Sequence, residues 1–270
     1  MPFHQIDSNH DPLWNKRGKR VLLVGKPNSG KTASLRTFLD TPQSTMAYIC
    51  LPGEFGNFSL DITPQVTPWI WDEEDPTKKV AWTDIWKQIE EVLMGVLLGK
   101  PRKFDVLAMD GIHKVHQIAL NVVTGGEAAT TLDFDAKKYE DARKKTMKLL
   151  EMVFRSDIRT IVMTVWDGRE KDDPDVQKAK DITTHIFPDL PGQFAHKILG
   201  EFGCVLYATI QGTGEGTKYL WQTRPQGRVW GCGIKAPIPI ARQIKTFIPQ
   251  DWRKLTPLLF PNAKEFERLA

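Results

Sequence analysis

The chain has few cysteines, and their positions indicate neither a disulfide framework nor a zinc site. Its 270 residues include three, Cys50, Cys204 and Cys232, which lie far apart and form no C-x-x-C pair. An odd number of distant thiols cannot all pair within one chain, and their spacing does not suit a zinc site. We therefore expect a protein of a reducing, cytoplasmic compartment.

Long apolar runs are also absent. No stretch approaches the roughly 18 apolar residues that a membrane span requires, so we expect no membrane-spanning segment. The opening residues MPFHQIDSNHD lack the basic-then-apolar order of a secretory signal. The formal net charge of +4 is far from that of a protein that coats nucleic acid. These features favour a soluble intracellular protein, of a length that suits one α/β domain with additions.

Several catalytic motifs are missing. The sequence contains no Gly-x-Ser-x-Gly elbow and no catalytic-cysteine signature, which argues against those classes of hydrolase. A GTPase is disfavoured because no Asn-Lys-x-Asp motif occurs and the D-x-x-G at residues 189–192 comes late in the chain. A nucleotide or small-molecule kinase is disfavoured because no Arg-rich lid is found.

The most specific motif that is present is VLLVGKPNSGKT, residues 21–32. Residues 21–24 read as a buried strand and residues 33–39 return to helical spacing. The glycines of the loop between them permit a close approach of successive backbone N–H groups to one anion. The spacing G-x-x-x-x-G-K-[ST] predicts a loop that binds the phosphates of a nucleotide. The residues predicted to contact the nucleotide are Gly25, Lys26, Pro27, Asn28, Ser29, Gly30, Lys31, Thr32 and Ala33.

Further polar residues follow two of the predicted strands. Lys31 offers a point charge to the β- and γ-phosphates, and the Thr32 hydroxyl can ligate Mg²⁺. Asp110 closes the apolar run VLAM, where a carboxylate can hold the metal or one of its waters, although such a residue can also serve only as a cap. Glu54 follows the second strand and can activate the attacking water, the alternative being a surface turn. Glu73 competes for that role, as does its neighbour Glu74, but neither stands at a strand end.

The order of elements predicts an α/β fold. Strands alternating with helices indicate a mostly parallel central sheet with helices on both faces, and ligands bind at the carboxyl ends of such strands. A C-terminal β-hairpin is also expected. His113 and His116 lack a third ligand at a suitable spacing, so we expect a pair on a helix surface rather than a metal site. The predicted strands cover residues 21–24, 45–51, 104–109, 160–166, 203–210 and 218–223 with a return at 228–234, and the predicted helices cover 77–98 and 136–154.

In this order the motifs resemble the RecA-like ATPase core, and within it the phage-encoded nucleotide-binding proteins related to single-strand-annealing ATPases. The stretches that carry the resemblance are GKPNSGKT, ICLPGEFGN, FDVLAMDGI, TIVMTVWDG, FPDLPGQFAHKILGEFGCVLY and TRPQGRVWGCGIK. The resemblance implies a RecA-like P-loop NTPase domain at residues 18–255, preceded by an N-terminal arm at 1–17 and followed by a tail at 256–270.

The resemblance also implies a function. It implies a Mg²⁺-dependent ATPase that acts on single-stranded DNA in phage recombination or replication, in the cytoplasm of an infected bacterial host. Glu54 is then the catalytic base, and the place of the γ-phosphate sensor holds Trp166 and Asp167. Assembly into a ring or filament would let a basic residue complete a neighbour's site, with Arg228 favoured over Arg224 and Lys235. The alternative is a nucleotide-gated switch or assembly factor with slow hydrolysis and a protein partner.

The predicted DNA contacts are the loops after the third and fourth strands, residues 121–135 and 168–186. Single-strand binding requires a basic groove with aromatic platforms. The first loop carries no positive charge, and the basic residues of the second are balanced by carboxylates. The basic helix at 137–148 and the arm at 16–20 are other possible phosphate contacts, or plain solvated faces.

Overall fold

The computed structural model describes residues 19–51, 63–71, 81–99, 103–125, 136–169, 186–191, 193–229, 231–236 and 238–259. The strands are β1 (Arg20–Gly25), β2 (Met46–Cys50), β3 (Val66–Ile70), β4 (Val106–Asp110), β5 (Thr160–Arg169), β6 (Ile186–Pro188), β7 (Cys204–Gln211), β8 (Lys218–Gln222), β9 (Gly233–Ile234) and β10 (Phe247–Pro249). The α-helices are α1 (Lys31–Leu35), α2 (Trp82–Leu98), α3 (Ile112–Thr124), α4 (Ala136–Phe154), α5 (Gln193–Glu201), α6 (Ile238–Gln243) and α7 (Trp252–Leu259), and a 3₁₀ turn (Arg36–Phe38) continues α1.

The strands form one sheet in the order β10-β8-β7-β1-β5-β4-β2-β3. From β7 to β3 every neighbouring pair is parallel, whereas β8 is antiparallel to β7 and to β10. Short antiparallel pairings add β6 to β5 and β9 to β7. The mostly parallel sheet confirms the predicted RecA-like P-loop NTPase fold, with a C-terminal hairpin formed by β7 and β8. The predicted return at 228–234 contributes only β9, which pairs with β7 rather than with β8.

Two apolar layers cover the sheet, one on each face. Leu22 and Val24 of β1 point into a core formed with α2, α3, α4 and α5. Val21 and Leu23 point to the opposite face, where α1 and α7 pack. Because both faces are buried, the central strands read as continuous apolar runs rather than as alternating patterns. Because the parallel strands run in the same direction, their carboxyl ends lie together at one edge of the sheet, beside the loop that follows β1.

The side of the sheet that carries α1 is closed by the C-terminal helix α7. The rings of Phe38 and Trp252 stack with centroids 4.8 Å apart. The backbone N–H of Trp252 donates to the Thr37 hydroxyl at 2.9 Å. Both contacts involve the 3₁₀ turn that continues α1, so α7 fixes the helix that begins at the phosphate loop.

Some elements differ from the sequence predictions. The helix α4 has the predicted limits, but β3, β6, β10, α5, α6 and α7 were not predicted. Residues 121–124, predicted as part of a loop, belong to α3. Each helix within the described ranges is either too short or too polar to span a bilayer. The predicted domain limits stay a prediction.

The histidines of α3 are buried, so the prediction of a surface pair was wrong. His113 is 8% exposed and His116 is 4% exposed. Both lie on the face of α3 that packs into the protein: His113 lies 4.6 Å from the Trp166 ring, and His116 lies 5.2 Å from the Phe194 ring. Three-residue spacing on an amphipathic helix places both side chains on one face, and that face is the inner one.

His116 is expected to make the fold sensitive to mild acid. Burial lowers the pKa of His116 from 6.5 to about 4. Between these values the unfolded chain binds a proton that the folded chain does not, so stability falls as pH decreases from 6.5 toward 4. The loss amounts to about 3 kcal/mol from this residue.

We expect His116→Gln to flatten this part of the stability profile. The measurement is urea unfolding between pH 7.5 and 4.5, compared with wild type. His196→Gln, at an exposed position of α5, provides the control for replacing a histidine. An identical pH slope in wild type and His116→Gln would contradict the assignment.

Candidate nucleotide-binding site

The loop after β1 has the backbone of a phosphate-binding loop. Gly30 has a φ of 86° and caps α1, a conformation that favours glycine. Lys31 is 7% exposed, and its Nζ donates to the carbonyl oxygens of Gly25 and Lys26, both at 2.7 Å. The Ser29 hydroxyl donates to the Lys26 carbonyl at 2.8 Å. The loop thus curls around the lysine ammonium and carries positive charge at its centre.

Asp110 lies beside this loop at the end of β4. The Thr32 hydroxyl donates to Asp110 Oδ2 at 2.7 Å, so the two residues predicted to hold the metal are in direct contact. Asp110 is 2% exposed. A hydroxyl and a carboxylate at this distance are the oxygen ligands that Mg²⁺ uses in nucleotide sites. The sheet therefore brings together residues that are 78 positions apart in the sequence.

Two further hydroxyls hold the Asp110 carboxylate. The Tyr48 hydroxyl of β2 donates to Oδ2 at 3.0 Å. The Thr164 hydroxyl of β5 donates to Oδ1 and accepts from the backbone N–H of Gly111 at 2.9 Å. Burial, followed by the nearby Asp110 charge, raises the pKa of Tyr48. Tyr48 therefore keeps its proton and stays a donor to the carboxylate at any physiological pH.

The sequence prediction missed Tyr48 and Thr164. Their strands flank β4, on which the register pairs Cys50 of β2 with Asp110. Both side chains occupy positions of the same parity as Asp110, so they point to the face that carries α1. A hydroxyl inside an apolar strand such as TIVMTVW is a signal for this role, but only the register assigns its partner.

The other predicted residues are placed in different ways. Glu54 lies outside the described residues, as do Glu73 and Glu74. Arg228 lies exposed in a turn, and its carbonyl accepts from the backbone N–H of Ile186 at 2.9 Å. The structure thus gathers the loop, the threonine and Asp110 into one site, while the base and the trans-acting residue stay predictions.

Trp166 and Asp167, at the place predicted for the γ-phosphate sensor, both contact other parts of the chain. Trp166 pairs with Gly25 across the sheet, which puts it next to the phosphate loop. The ammonium of Lys114 lies 5.4 Å from the centroid of the Trp166 ring. Asp167 accepts a hydrogen bond from the Tyr207 hydroxyl at 2.7 Å. From the sequence, Asp167 could contact the metal or a water, or simply cap the following loop, and this contact favours the structural role.

The residues of the site suit a magnesium–nucleotide complex. A Cβ placed on Gly30 would lie 2.6 Å from Gln250 Oε1 and 2.8 Å from Tyr219 Cδ1, so another residue there would strain the positive φ and displace both side chains. The Thr32 hydroxyl and the Asp110 carboxylate form an oxygen set suited to Mg²⁺ rather than to a softer metal.

The comparison with protein families decides the class. The model of a family described as an AAA domain matches residues 17–230, which is most of the chain. The chain belongs to the AAA domain family. It therefore contains a P-loop ATPase domain, as the loop and Asp110 predicted. The family match does not bear on the predicted relation to phage annealing ATPases. No curated protein matches the chain.

Two solved structures share part of the fold. One is a prototypical ATPase from the type III secretion system of pathogenic bacteria, with 16% identity, 71% of this chain and 51% of that chain covered, and a TM-score of 0.41. The other is the flagellar accessory protein FlaH from Methanocaldococcus jannaschii, with 15% identity, coverage of 80% and 85%, and a TM-score of 0.37. The chain spans about half the length of the secretion ATPase. At these scores neither likeness bears on activity or assembly.

Proposed function

We propose that this AAA-type domain binds ATP with Mg²⁺ and hydrolyses it. The observation that supports the proposal best is the 2.7 Å hydrogen bond from Thr32 to Asp110, which joins the phosphate loop to a strand-end carboxylate. If Asp110 only capped the end of β4, it would need no hydrogen-bond partner from the phosphate loop. A P-loop lysine, a metal-binding hydroxyl and a strand-end carboxylate together form the set that phosphoryl transfer requires.

Each residue has a physical role in this proposal. The loop N–H groups and the Lys31 ammonium bind and orient the phosphates, and Thr32 with Asp110 holds the metal. When bound, Mg²⁺ neutralises charge on the β- and γ-phosphates. Tyr48 and Thr164 fix the Asp110 carboxylate by donating to its two oxygens. Glu54 is the proposed base that orients or deprotonates the attacking water.

The arrangement of basic residues supports Arg228 as the residue that completes a neighbouring site in a ring or filament. The Arg224 side chain donates to the carbonyl oxygens of Ala241 and Ile244. The Lys235 ammonium donates to the Gly200 carbonyl. These two side chains stabilise their own chain, whereas Arg228 is exposed on a turn.

Arg228→Ala is therefore expected to lower ATP hydrolysis at least tenfold while leaving nucleotide binding unchanged, since such arginines act on the transition state. Steady-state hydrolysis and calorimetric binding measure the two effects. Arg155→Ala, at a side chain 82% exposed in the turn just after α4, is the matched control. Loss of folding in Arg228→Ala, or unchanged hydrolysis, would remove the argument.

Action on single-stranded DNA is the finer part of the proposal, and it rests on the resemblance alone. The two loops predicted to face DNA are 121–135 and 168–186. Residues 126–135 and 170–185, which make up most of them, lie outside the described residues. The alternative, a nucleotide-gated switch with slow hydrolysis and a protein partner, differs in one measurable respect. An annealing or recombinase-type ATPase turns over faster with DNA, and a switch does not.

The experiment that tests the proposed function measures ATP hydrolysis by the purified chain with and without Mg²⁺ and with and without a single-stranded oligonucleotide. Mg²⁺-dependent hydrolysis is expected in both DNA conditions. Stimulation of hydrolysis by the oligonucleotide, together with salt-sensitive binding of the oligonucleotide in a filter assay, supports action on DNA. Slow hydrolysis that the oligonucleotide does not stimulate supports the switch. Absence of any Mg-ATP binding would overturn both.

A further inference from the structure

An exposed aromatic side chain stands against the phosphate loop. Tyr219 lies near the start of β8, and its Cδ1 is the atom that a Cβ on Gly30 would approach to 2.8 Å. The residue is nevertheless 47% exposed. The ring thus stands beside the position that a side chain at Gly30 would occupy, while nearly half of the residue faces solvent.

The strand order places this ring on the side of the loop away from the metal ligands. Asp110 is on β4, two strands from β1 in one direction, and Tyr219 is on β8, two strands from β1 in the other. Each displacement is about 10 Å at the usual strand spacing. Because β8 is antiparallel to β7, its start lies at the edge where β1 and β4 end. A nucleotide with its γ-phosphate toward Asp110 directs its base toward β8.

The exposure of Tyr219 contrasts with the burial of Trp221 on the same face of β8. Trp221, two residues along β8, is fully buried at 0% exposed and belongs to the core beside α1. Ile210, directly opposite Tyr219 on β7, is 43% exposed. The core therefore ends between Trp221 and Tyr219, and beyond it an aromatic and an aliphatic side chain form a small apolar surface next to the loop.

Gln250 holds this surface and the loop in one arrangement. Its Nε2 donates to the Ser29 carbonyl of the loop at 2.8 Å and to the Leu220 carbonyl, next to Tyr219, at 3.1 Å. Because both amide hydrogens are used, the side chain links the loop to β8 directly. The phosphate loop and the strand that carries the ring are thereby joined through one side chain.

We propose that Tyr219, flanked by Ile210, is the platform on which the purine base of the bound nucleotide stacks. This inference rests on the proposed function, because the base is positioned by phosphates held in the loop. Stacking of a base on an aromatic side chain contributes about 1–3 kcal/mol when measured by alanine substitution. A purine presents more ring surface than a pyrimidine and gains more from this contact.

The test compares ATP with inorganic tripolyphosphate, which lacks the base, by titration calorimetry in the presence of Mg²⁺. Wild type is expected to bind ATP more tightly than tripolyphosphate. Tyr219→Ala is expected to weaken ATP binding about tenfold and to leave tripolyphosphate binding unchanged. Tyr219→Phe keeps the ring and is expected to bind ATP like wild type. Trp82→Ala, at another exposed aromatic residue on α2, is the matched control.

The outcomes separate this inference from the proposed function. If wild type bound ATP and tripolyphosphate with equal affinity, the base would add nothing to binding. That result alone would overturn the proposed platform. An equal loss of affinity for ATP and for tripolyphosphate in Tyr219→Ala would also overturn the proposal, because the residue would then affect phosphate binding by the loop rather than the base. If wild type binds neither ligand, the proposed function itself fails. Selective loss of ATP binding in Tyr219→Ala, with Tyr219→Phe intact, supports the platform.

Discussion

Replacing Lys31 with alanine is expected to weaken Mg-ATP binding by about 100-fold, because a charge-assisted hydrogen bond contributes about 1.5–3 kcal/mol. Lys31 is 7% exposed, and the carbonyl oxygens of Gly25 and Lys26 hold its ammonium within the loop. No other described side chain of the loop places a donor to the phosphates where the Lys31 ammonium lies. Hydrolysis is expected to fall further still, since the same charge also stabilises the transition state.

Titration calorimetry with ATP and with tripolyphosphate measures the loss, and both ligands are expected to weaken together. Lys87→Ala, at a side chain 73% exposed on α2, removes the same charge far from the loop and provides the control. Thermal unfolding shows whether the loop variant keeps its fold. A folded Lys31→Ala protein that binds Mg-ATP like wild type would contradict the phosphate-binding role of the loop.

The sequence sufficed to predict those parts of the site that depend on local structure. The phosphate loop needs a strand, a few glycines and a helix start, and all of these lie within residues 21–32. Asp110 could be predicted because a strand end marks the carboxyl edge of a parallel sheet. The amphipathic helix α4 was predicted with its observed limits because its apolar period is uninterrupted over 19 residues.

The missing parts depend on contacts between distant segments. Tyr48 and Thr164 meet Asp110 only through the register of β2, β4 and β5, which pairs residues about 60 positions apart. Tyr219 comes close to Gly30 because β8 folds back beside β7; both strands could be predicted, but not which side chain of β8 lies beside the phosphate loop. The burial of His116 depends on α4 and α5 packing over α3, and α5 was not predicted. Register and packing are tertiary properties, so a single sequence leaves them open.

Replacing Asp110 with asparagine is expected to reduce Mg²⁺-dependent hydrolysis at least 100-fold, a loss comparable to that of one transition-state donor. The substitution keeps the size of the side chain but removes the negative charge needed beside the metal. It also replaces one acceptor oxygen by an NH₂ group, although three hydroxyls donate to the carboxylate. At least one donor then loses its acceptor, so a destabilisation of about 1–3 kcal/mol is expected.

ATP binding in the presence of EDTA separates the metal role from damage to the fold. The loop and Lys31 do not need Asp110 to bind phosphates, so metal-free ATP affinity is expected to stay within a few fold of wild type while the gain from Mg²⁺ disappears. Tyr48→Phe and Thr164→Val remove one donor each and leave the charge, so they are expected to slow hydrolysis by less than the loss of the carboxylate. If Asp110→Asn kept its Mg²⁺ response and Tyr48→Phe lost it, the metal ligand would have to be sought elsewhere. The contact between Thr32 and Asp110 would then be a capping interaction.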